Sequence, residues 1–448
     1  MARNALTAQF LKAVPTPVPV EPQSELLRIF YRGSLLTRPL FIEADEHRRL
    51  VADLEVLRST LLSLPDRLFG GDLEAFARAL GMNDDQVRCV LRGRGTSVTR
   101  LSRSDLYADA GGFRLLEYNM GSALGGSDAA HINRGLLNDP RMKEFVAEHE
   151  LEYVDTMATH LDTIRLECEI EPGARPVVAI TDWPQSYESL APYMRAVAEH
   201  WSTLGVDAHA CHIGELEARD GGIWLAEHRV DIVNRLFMLE DVASAPDAVA
   251  LMDPVLDAAD RGEVKIFTPM DAELFGCKAA LAMLSDEANR HLFDSGELAA
   301  LDRILPWTRT MHKGEVTLED GSRVDLLTHA VEHQEDLVLK GTLGHSGEAV
   351  LLGWQDGLTS DEWAARLREA VDGPYVLQRR IRPVPEYCAD EDGTLAPWTP
   401  VWGVFTTATV SGGVFVRATR TDSRKDVINL GNGASVGTVF HASTPDAR

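Results

Sequence analysis

The sequence has few cysteines, and it contains no hydrophobic run long enough to cross a membrane. Its five cysteines are scattered over 448 residues, and no two of them have C-x-x-C spacing. This pattern excludes a disulfide framework and a cysteine-based zinc site, and it is typical of a reduced cytoplasmic protein. No stretch reaches the roughly 20 apolar residues of a membrane span. Residues 1–22 lack the apolar core of a signal peptide, so we expect a cytoplasmic protein that binds no membrane.

Basic residues are also scarce relative to acidic ones. The chain has 44 Lys and Arg residues against 69 Asp and Glu residues, which gives a formal net charge of −25. Such a charge repels nucleic acids and anionic lipid surfaces, so we expect neither as a partner. A site for nucleotide phosphates would have to gather its few cations locally.

Residues 101–126, LSRSDLYADAGGFRLLEYNMGSALGG, predict a β-hairpin. Leu101–Tyr107 and Phe113–Tyr118 mix apolar and polar residues at strand-like spacing, and residues 108–112 read as the turn between them. The glycines that follow the second strand would let the backbone approach a ligand closely.

Four polar side chains of this hairpin are predicted to converge. Side chains two residues apart share a face of a strand, so Arg103 projects with Asp105, and Glu117 projects with Asn119. Three oxygen-bearing groups beside a cation suit Mg²⁺, which keeps several waters and is often completed by substrate phosphates. The alternative is an exposed hairpin whose polar face is only solvated. The apolar pair before Glu117 favours a buried strand that ends in polar groups.

A second informative stretch is residues 336–354, DLVLKGTLGHSGEAVLLGW. Lys340 follows an apolar run, and Gly341, Gly344 and Gly347 punctuate the segment before the next apolar run. In a Walker loop the lysine follows the glycines and a helix comes next, whereas here the lysine precedes them and a strand comes next. A glycine-rich hairpin of this kind can fold its backbone N–H groups over phosphates, with the lysine supplying charge. A plain surface loop is the alternative.

The segment after residue 172 predicts a parallel sheet of Rossmann-like type, because short apolar runs alternate with an amphipathic helix. It lacks G-x-G-x-x-G at its first turn, so we do not expect a dinucleotide there. Trp183 follows the first strand, where such sheets usually hold a ligand, although a plain strand-to-helix loop explains it equally well. The predicted strands are Val177–Thr181, Asp207–His212 and Val230–Leu236, and the predicted helix is Glu188–Leu204.

Helical spacing of apolar residues predicts a structural cap near the start of the chain and further helices later. A lone lysine on the last of these, Lys278, would normally be solvated. The predicted helices are Glu43–Leu64, Asp72–Leu80, Asp84–Leu91, Asp139–Asp162 and Ala272–Leu284.

Taken in this order, the pieces resemble the circularly permuted ATP-grasp proteins. The similarity is greatest to the synthetase domain of glutathionylspermidine synthases, and it covers roughly residues 95–440. Its most specific part is R-x-D at Arg103, followed by E-x-N twelve residues beyond the Asp. After the E-x-N, residues 120–126 replace the Pro- and Asp-containing segment of those synthases, and we expect no separate amidase domain.

The resemblance implies a role for each candidate residue. It implies two Mg²⁺ ions bound by Asp105, Glu117 and Asn119. It implies that Arg103 and Arg417 face the transferred phosphoryl group. The implied ATP contacts are Lys278, Lys340, Gly341, Gly344, His345, Ser346, Gly347, Gln378 and Arg380. The residues nearest to the substrates would be Ser122, Gly125, Gly126 and Trp183.

The resemblance also implies an α/β (α+β) fold of the ATP-grasp class, circularly permuted, with four regions. Residues 1–95 would form an N-terminal arm and helical cap, and residues 96–172 the metal-binding hairpin and helix of the core. Residues 173–268 would form the Rossmann-like lobe, and residues 269–448 the nucleotide-binding lobes.

The implied activity is that of an ATP- and Mg²⁺-dependent ligase. It would join a carboxylate to an amine through an acyl phosphate and release ADP and phosphate. The substrates would be small molecules, such as an amino acid, a peptide or a polyamine, and a homodimer is the assembly considered. Two alternatives stay open: a kinase-like phosphotransferase acting on a small molecule, and a non-catalytic nucleotide-binding relative.

Overall fold

The structure is a computed structural model. It describes residues 3–20, 24–30, 35–95, 97–242, 248–344, 349–389, 393–408, 411–423 and 427–443.

The largest sheet, called the large sheet below, joins strands from both ends of the chain. Residues 1–95 thereby contribute a strand in addition to the helices that the sequence predicts. Valine, threonine and aromatic residues dominate the central strands, and these residue types fit a half-buried pleated surface. In order across the sheet, the strands are Leu40–Ile42, Ser435–Ala442, Val414–Arg420, Leu395–Thr406, Ser102–Asp109 and Gly112–Met120, with Glu386–Ala389 beside Leu395–Thr406 and Leu151–Glu152 beside Ser435–Ala442.

The two faces of the large sheet have different neighbours because side chains alternate along each strand. Trp402 and Val404 are buried in the same hydrophobic core as the apolar stripe of helix Ala44–Phe69. Val401 is on the opposite face, where it lines a cavity. The large sheet therefore has one face in the helical core and the other beside that cavity.

A second sheet, called the parallel sheet, is formed by Lys265–Phe267, Ile232–Arg235, Val177–Asp182 and Asp207–His212 in that order. Its strands are parallel, as the short apolar runs predict. The helix between two of them spans Pro184–Thr203, one turn earlier than predicted at its start, because Pro184 occupies a first-turn position that suits proline.

A third sheet, called the small antiparallel sheet, carries Lys340. Trp363 and Leu367, on helix Ser360–Ala370, are fully buried in the core beneath it. Its strands, in order, are Thr308–Thr310, Tyr375–Arg379, Leu337–Gly341 and Val350–Leu352. The remaining strands form a hairpin, Glu315–Thr317 with Arg323–Asp325, and a meander of Leu216–Arg219, Gly222–Leu225 and His228–Val230.

Helices surround these sheets. Within the described part of the chain, none is both long and apolar enough to cross a membrane. The α-helices are Ala5–Ala13, Glu25–Phe30, Ala44–Phe69, Leu73–Ala79, Asp84–Arg92, Ala130–Leu136, Pro140–Glu148, Thr156–Glu167, Pro184–Thr203, Leu239–Val242, Ala248–Asp260, Ala272–Gly276, Lys278–Ser285, Ser295–Ile304, Leu326–Glu332 and Ser360–Ala370. Short 3₁₀ helices span Ile213–Glu215, Glu287–Leu292 and Gln334–Asp336.

Two helix predictions are wrong because the backbone breaks within them. The predicted helix Asp139–Asp162 is interrupted after residue 148, where Glu150 has φ +48° and the next two residues pair with a strand of the large sheet. Asp155 then caps a new helix by accepting a hydrogen bond from Ala158 N. The predicted helix Ala272–Leu284 breaks at Cys277, whose backbone is extended.

Candidate functional site

The hairpin register brings four polar residues of the large sheet together. Ser102–Asp109 pairs with the following strand so that Arg103 lies opposite Asn119 and Asp105 lies opposite Glu117. Paired residues of an antiparallel ladder share a face, so all four side chains project from the same side of the sheet. This is the arrangement that the R-x-D and E-x-N spacings predict.

A β-bulge next to these residues connects the hairpin to the small antiparallel sheet. Asp105 pairs with Glu117, but Leu106 pairs with Leu115, so Leu116 is the extra residue of the bulge. A bulge leaves its extra residue without a partner in the ladder. Lys340 Nζ donates to the Leu116 carbonyl at 2.9 Å. The bulge therefore provides an acceptor for a cation from the facing sheet.

Asp105 lies between two arginines. Arg103 donates to both of its carboxylate oxygens, at 2.9 and 3.0 Å, and Arg417 Nη2 lies 2.8 Å from Oδ2. Burial on its own would raise the pKa of Asp105, but the two guanidinium groups outweigh burial and lower the pKa to about 2. The carboxylate is therefore ionised at any physiological pH.

The contact between Asp105 and Arg417 crosses a strand that lies between theirs. At the crossing point that strand has Gly403, which pairs with Asp105. A Cβ on Gly403 would lie 3.0 Å from Arg103 Cδ. The missing side chain therefore leaves room for Arg103 beside Asp105.

Glu117 has its own cation. Lys278 Nζ lies 2.9 Å from Glu117 Oε1 and donates to the Gly344 carbonyl at 3.0 Å. Burial raises the pKa of Glu117, but the Lys278 charge outweighs it, so the pKa lies below its usual value. Lys278 is 7% exposed, so the interpretation of this residue as a solvated helix lysine is wrong.

Lys340 is buried and held by Gln378, whose Oε1 accepts from Lys340 Nζ at 2.6 Å. Gln378 Nε2 donates in turn to Thr308 Oγ1 at 3.3 Å. Burial and the nearby Lys278 charge lower the pKa of Lys340 to about 8, although Glu117 acts in the opposite direction. Lys340 is thus a buried cation that is easier to deprotonate than an ordinary lysine.

Asp105, Glu117, Lys340, Gln378 and the two arginines line one cavity of about 450 Å³ between the large sheet and the small antiparallel sheet, which we call the large cavity. Its polar wall combines the two carboxylates with Arg103, Arg417 and Lys340. Its apolar wall includes Val338 and Leu352 of the small antiparallel sheet, with Trp354 and Ile381 just beyond the ends of its strands.

A smaller cavity, called the side cavity, adjoins the large one, since Asn119 and Met238 line both. Its polar lining includes Ser122, Arg235, Glu240, Glu273, Lys278 and Gly344. The two cavities together extend from the small antiparallel sheet to the end of a strand of the parallel sheet.

No protein-family model matches the chain, and no curated protein matches it. A solved structure that does match is a glutathione synthetase-like effector from Globodera pallida in its apo form. The two chains are 14% identical, with a TM-score of 0.52 over 91% of this chain and 90% of that one. The chain therefore shares its overall fold with this glutathione synthetase-like protein. The ATP-grasp ligase PsnB, in complex with a minimal precursor, also matches, at 11% identity and a TM-score of 0.24 over 61% of this chain and 92% of that one.

Within this fold, most of the predicted residues meet at the two cavities. The large cavity is lined by Arg103, Asp105, Glu117, Asn119, Gly125, Lys340, Gln378 and Arg417. The side cavity is lined by Asn119, Ser122, Lys278 and Gly344. His345, Ser346 and Gly347 lie outside the described residues.

Four predicted residues lie elsewhere. Trp183 is 4% exposed and packs against Phe237, with ring centroids 5.4 Å apart, because a large aromatic side chain gains most by burial in the core. Arg380 is outside the lining of the large cavity and stacks on Trp354, 3.9 Å from its ring centroid. The remaining two, Gly341 and Gly126, line neither the large nor the side cavity.

Arg235 lines the side cavity but is not among the predicted site residues. It is 2% exposed, and its guanidinium lies 2.9 Å from Glu273 and donates to the Thr268 carbonyl at 2.8 Å. Ser122 Oγ donates to the Arg235 carbonyl and so connects the hairpin end to the parallel sheet. The signal that could have identified it is an arginine in the last position of a short, buried strand, Ile232–Arg235.

Gly126 is required for packing, which gives a stability prediction. Its φ is +90°, and an added Cβ would lie 2.2 Å from the Phe415 ring. We expect Gly126→Ala to lower the free energy of unfolding by about 2–4 kcal/mol, from overpacking and left-handed backbone strain. Urea denaturation measures the change.

The neighbouring glycine provides the matched control. A Cβ on Gly125 would meet no atom within 4 Å, so Gly125→Ala should change stability by no more than about 0.5 kcal/mol. Equal effects of the two substitutions would contradict the assignment.

Proposed function

We propose that this chain is an ATP-dependent ligase that joins a carboxylate to an amine and releases ADP and phosphate. One observation carries the proposal: the carboxylates of Asp105 and Glu117, which line the large cavity, adjoin cations from three separate elements. These cations are Lys278, Lys340 and Arg417. A polyanionic substrate that binds together with a metal cation suits such a combination of carboxylates and basic side chains.

The cations fit the phosphates of ATP. In a chain with a net charge of −25, Arg103, Arg417 and Lys340 line the large cavity, and Lys278 lines the adjoining side cavity. Arg417 Nε is buried and makes no hydrogen bond to any described residue. A buried donor of this kind is costly unless a ligand satisfies it, and a phosphate oxygen would do so. The apolar wall of the cavity, with Val338 and Leu352, suits a purine ring.

The oxygen donors fit Mg²⁺. Asp105 and Glu117 are held ionised by their cations, which is the form in which a carboxylate binds a metal, and Asn119 adds an amide oxygen. Bound to these three residues, one or two Mg²⁺ ions would offset negative charge on the nucleotide phosphates. Asn119 Nδ2 lies 3.4 Å from Asp105 Oδ2, and Glu117 is the strand partner of Asp105.

In the proposed reaction, a carboxylate oxygen of the first substrate attacks the γ-phosphorus of ATP. The bond from that phosphorus to the bridging oxygen breaks, ADP leaves, and an acyl phosphate remains. The amine of the second substrate then attacks the carbonyl carbon. The bond from carbon to the phosphate oxygen breaks, and the amine proton leaves with the phosphate. Neither step requires a nucleophile from the protein.

The protein residues would act by position and charge. Arg103 and Arg417 would face the transferred phosphoryl group, and Lys278 and Lys340 would contact the nucleotide phosphates. Gln378 uses both ends of its amide inside the protein, so we assign it the positioning of Lys340 rather than the recognition of adenine. The adenine ring would rest on the apolar wall.

The side cavity would receive the carboxylate and the amine. It adjoins the metal-binding face at Asn119 and contains both signs of charge, with Arg235 2.9 Å from Glu273. Amino acids, peptides and polyamines match that mixture. The circularly permuted arrangement and the likeness to glutathionylspermidine synthases belong to the same proposal.

A substrate panel tests the proposal. The full chain is incubated with ATP, Mg²⁺ and pools of amino acids, peptides and polyamines, and the nucleotide and phosphate products are quantified. We expect equimolar ADP and phosphate that depend on both an acid and an amine. Release of AMP and pyrophosphate would contradict the mechanism. A phosphorylated product without an amide would favour a phosphotransferase, and binding without turnover would favour a non-catalytic role.

A further inference from the structure

Away from both cavities, three side chains of metal-ligand type meet at the edge of the parallel sheet. One ligand atom from each of Asp207, His209 and His228 lies within 4.8 Å of the other two. His209 Nε2 is 3.2 Å from Asp207 Oδ1, and the two imidazole rings have centroids 4.1 Å apart. None of the three has a role in the ligase chemistry proposed above.

The strand geometry explains why they meet. Asp207 and His209 are two residues apart on Asp207–His212, the edge strand of the parallel sheet, so they share a face. His228 begins His228–Val230, a strand of the meander. The group therefore joins two different sheets.

We propose that Asp207, His209 and His228 bind one divalent transition-metal ion of the zinc type. Imidazole nitrogen with a single carboxylate suits Zn²⁺, Co²⁺ and Ni²⁺, whereas Mg²⁺ and Ca²⁺ prefer a shell of oxygen atoms. Tetrahedral zinc with bonds of about 2.0–2.1 Å sets its ligand atoms roughly 3.3 Å apart. His209 and Asp207 already have that spacing, and the partly exposed His228 ring can close the remaining distance by a small rotation.

The position in the sheet assigns this site a structural role. Asp207 pairs with Val177 at the start of the parallel strands, whereas Arg235 pairs with Thr181 at their opposite end. The metal would therefore lie at the far end of the sheet from the side cavity. Because the ligands come together only in the folded chain, the ion would stabilise the fold by mass action, as a clip between the meander and the parallel sheet.

Metal titration tests the proposal. The full chain is freed of metal with a chelator, transferred to Mg²⁺-free buffer and titrated with Co²⁺ by visible absorption and with Zn²⁺ by calorimetry. We expect saturable binding of one ion per chain and a higher melting temperature in Zn²⁺. His209→Asn and His228→Asn should each weaken binding at least tenfold and abolish the rise in melting temperature.

The control is His291→Asn, an exposed histidine on a different element, which should bind as the unaltered chain does. Circular dichroism of the metal-free variants establishes that they fold. If either histidine variant fails to fold, Asp207→Asn supplies the same comparison. Absence of saturable Co²⁺ or Zn²⁺ binding, or binding undiminished in these variants, would overturn the proposal.

Discussion

Glu117→Gln is expected to lower the rate of ATP-dependent turnover by about 100- to 1000-fold, the range measured when one electrostatic group is removed from a catalytic site. Glutamine keeps the shape of the side chain but removes the charge that pairs with Lys278 at 2.9 Å. It also removes one of the carboxylates proposed to bind Mg²⁺. Turnover is measured at saturating ATP over a range of Mg²⁺ concentrations. We expect a lower maximal rate and a higher Mg²⁺ concentration at half-maximal rate.

The matched control for this change is Glu144→Gln, an exposed glutamate on helix Pro140–Glu148. It should leave turnover and the Mg²⁺ requirement unchanged. Full activity of Glu117→Gln with an unaltered Mg²⁺ requirement would refute the assignment of Glu117 as a metal ligand.

Lys340→Met is expected to weaken ATP binding about 100-fold, because truncation of a buried charged partner typically costs about 2–5 kcal/mol. Methionine fills a similar volume but leaves the Leu116 carbonyl and Gln378 Oε1 without the donor that they share. Equilibrium binding of a non-hydrolysable ATP analogue measures the loss. A melting curve separates it from a general loss of fold.

The same lysine predicts how binding depends on pH. Its pKa is about 8 in the free protein, so it is charged below pH 8 and increasingly neutral above it. Phosphates favour the charged form, so ATP must bind together with a proton at higher pH. Affinity should therefore fall as pH rises from 8 to 9.5, by up to about tenfold per pH unit.

Two comparisons isolate Lys340 as the cause. In Lys340→Met, affinity should be nearly independent of pH over this range, and Lys143→Met, at an exposed position, should behave as the unaltered chain does. An identical pH dependence in Lys340→Met would assign the titration to another group and contradict the proposal.

The hairpin could be predicted from the sequence because its register depends on residues close together in the chain. Two-residue periodicity is enough to place Arg103 with Asp105 and Glu117 with Asn119, and the observed ladder has them opposite one another. The bulge at Leu116 could not be predicted, because Leu115-Leu116 reads as any apolar strand. The hydrogen bond from Lys340 to the Leu116 carbonyl could therefore not be predicted either.

The other site contacts that could not be predicted join segments that lie far apart in the sequence. Arg417 reaches Asp105 across a strand that contains Gly403, and Arg235 meets Glu273, which lies on a different element. Neither pair leaves a local pattern, because sheet order decides which strands become neighbours. For Trp183 the sequence pattern indicated a position where a ligand is expected. Its side chain packs into the core instead.

The most direct test of the central claim follows an oxygen atom. Once the panel has identified an acid, its carboxylate is labelled with ¹⁸O, and the products formed with ATP, Mg²⁺ and the amine are examined by ³¹P NMR and mass spectrometry. If that carboxylate attacks the γ-phosphorus, the released phosphate should contain one ¹⁸O atom, and the nucleotide product should be ADP. Released phosphate without ¹⁸O, or ¹⁸O in AMP, would contradict an acyl-phosphate ligase.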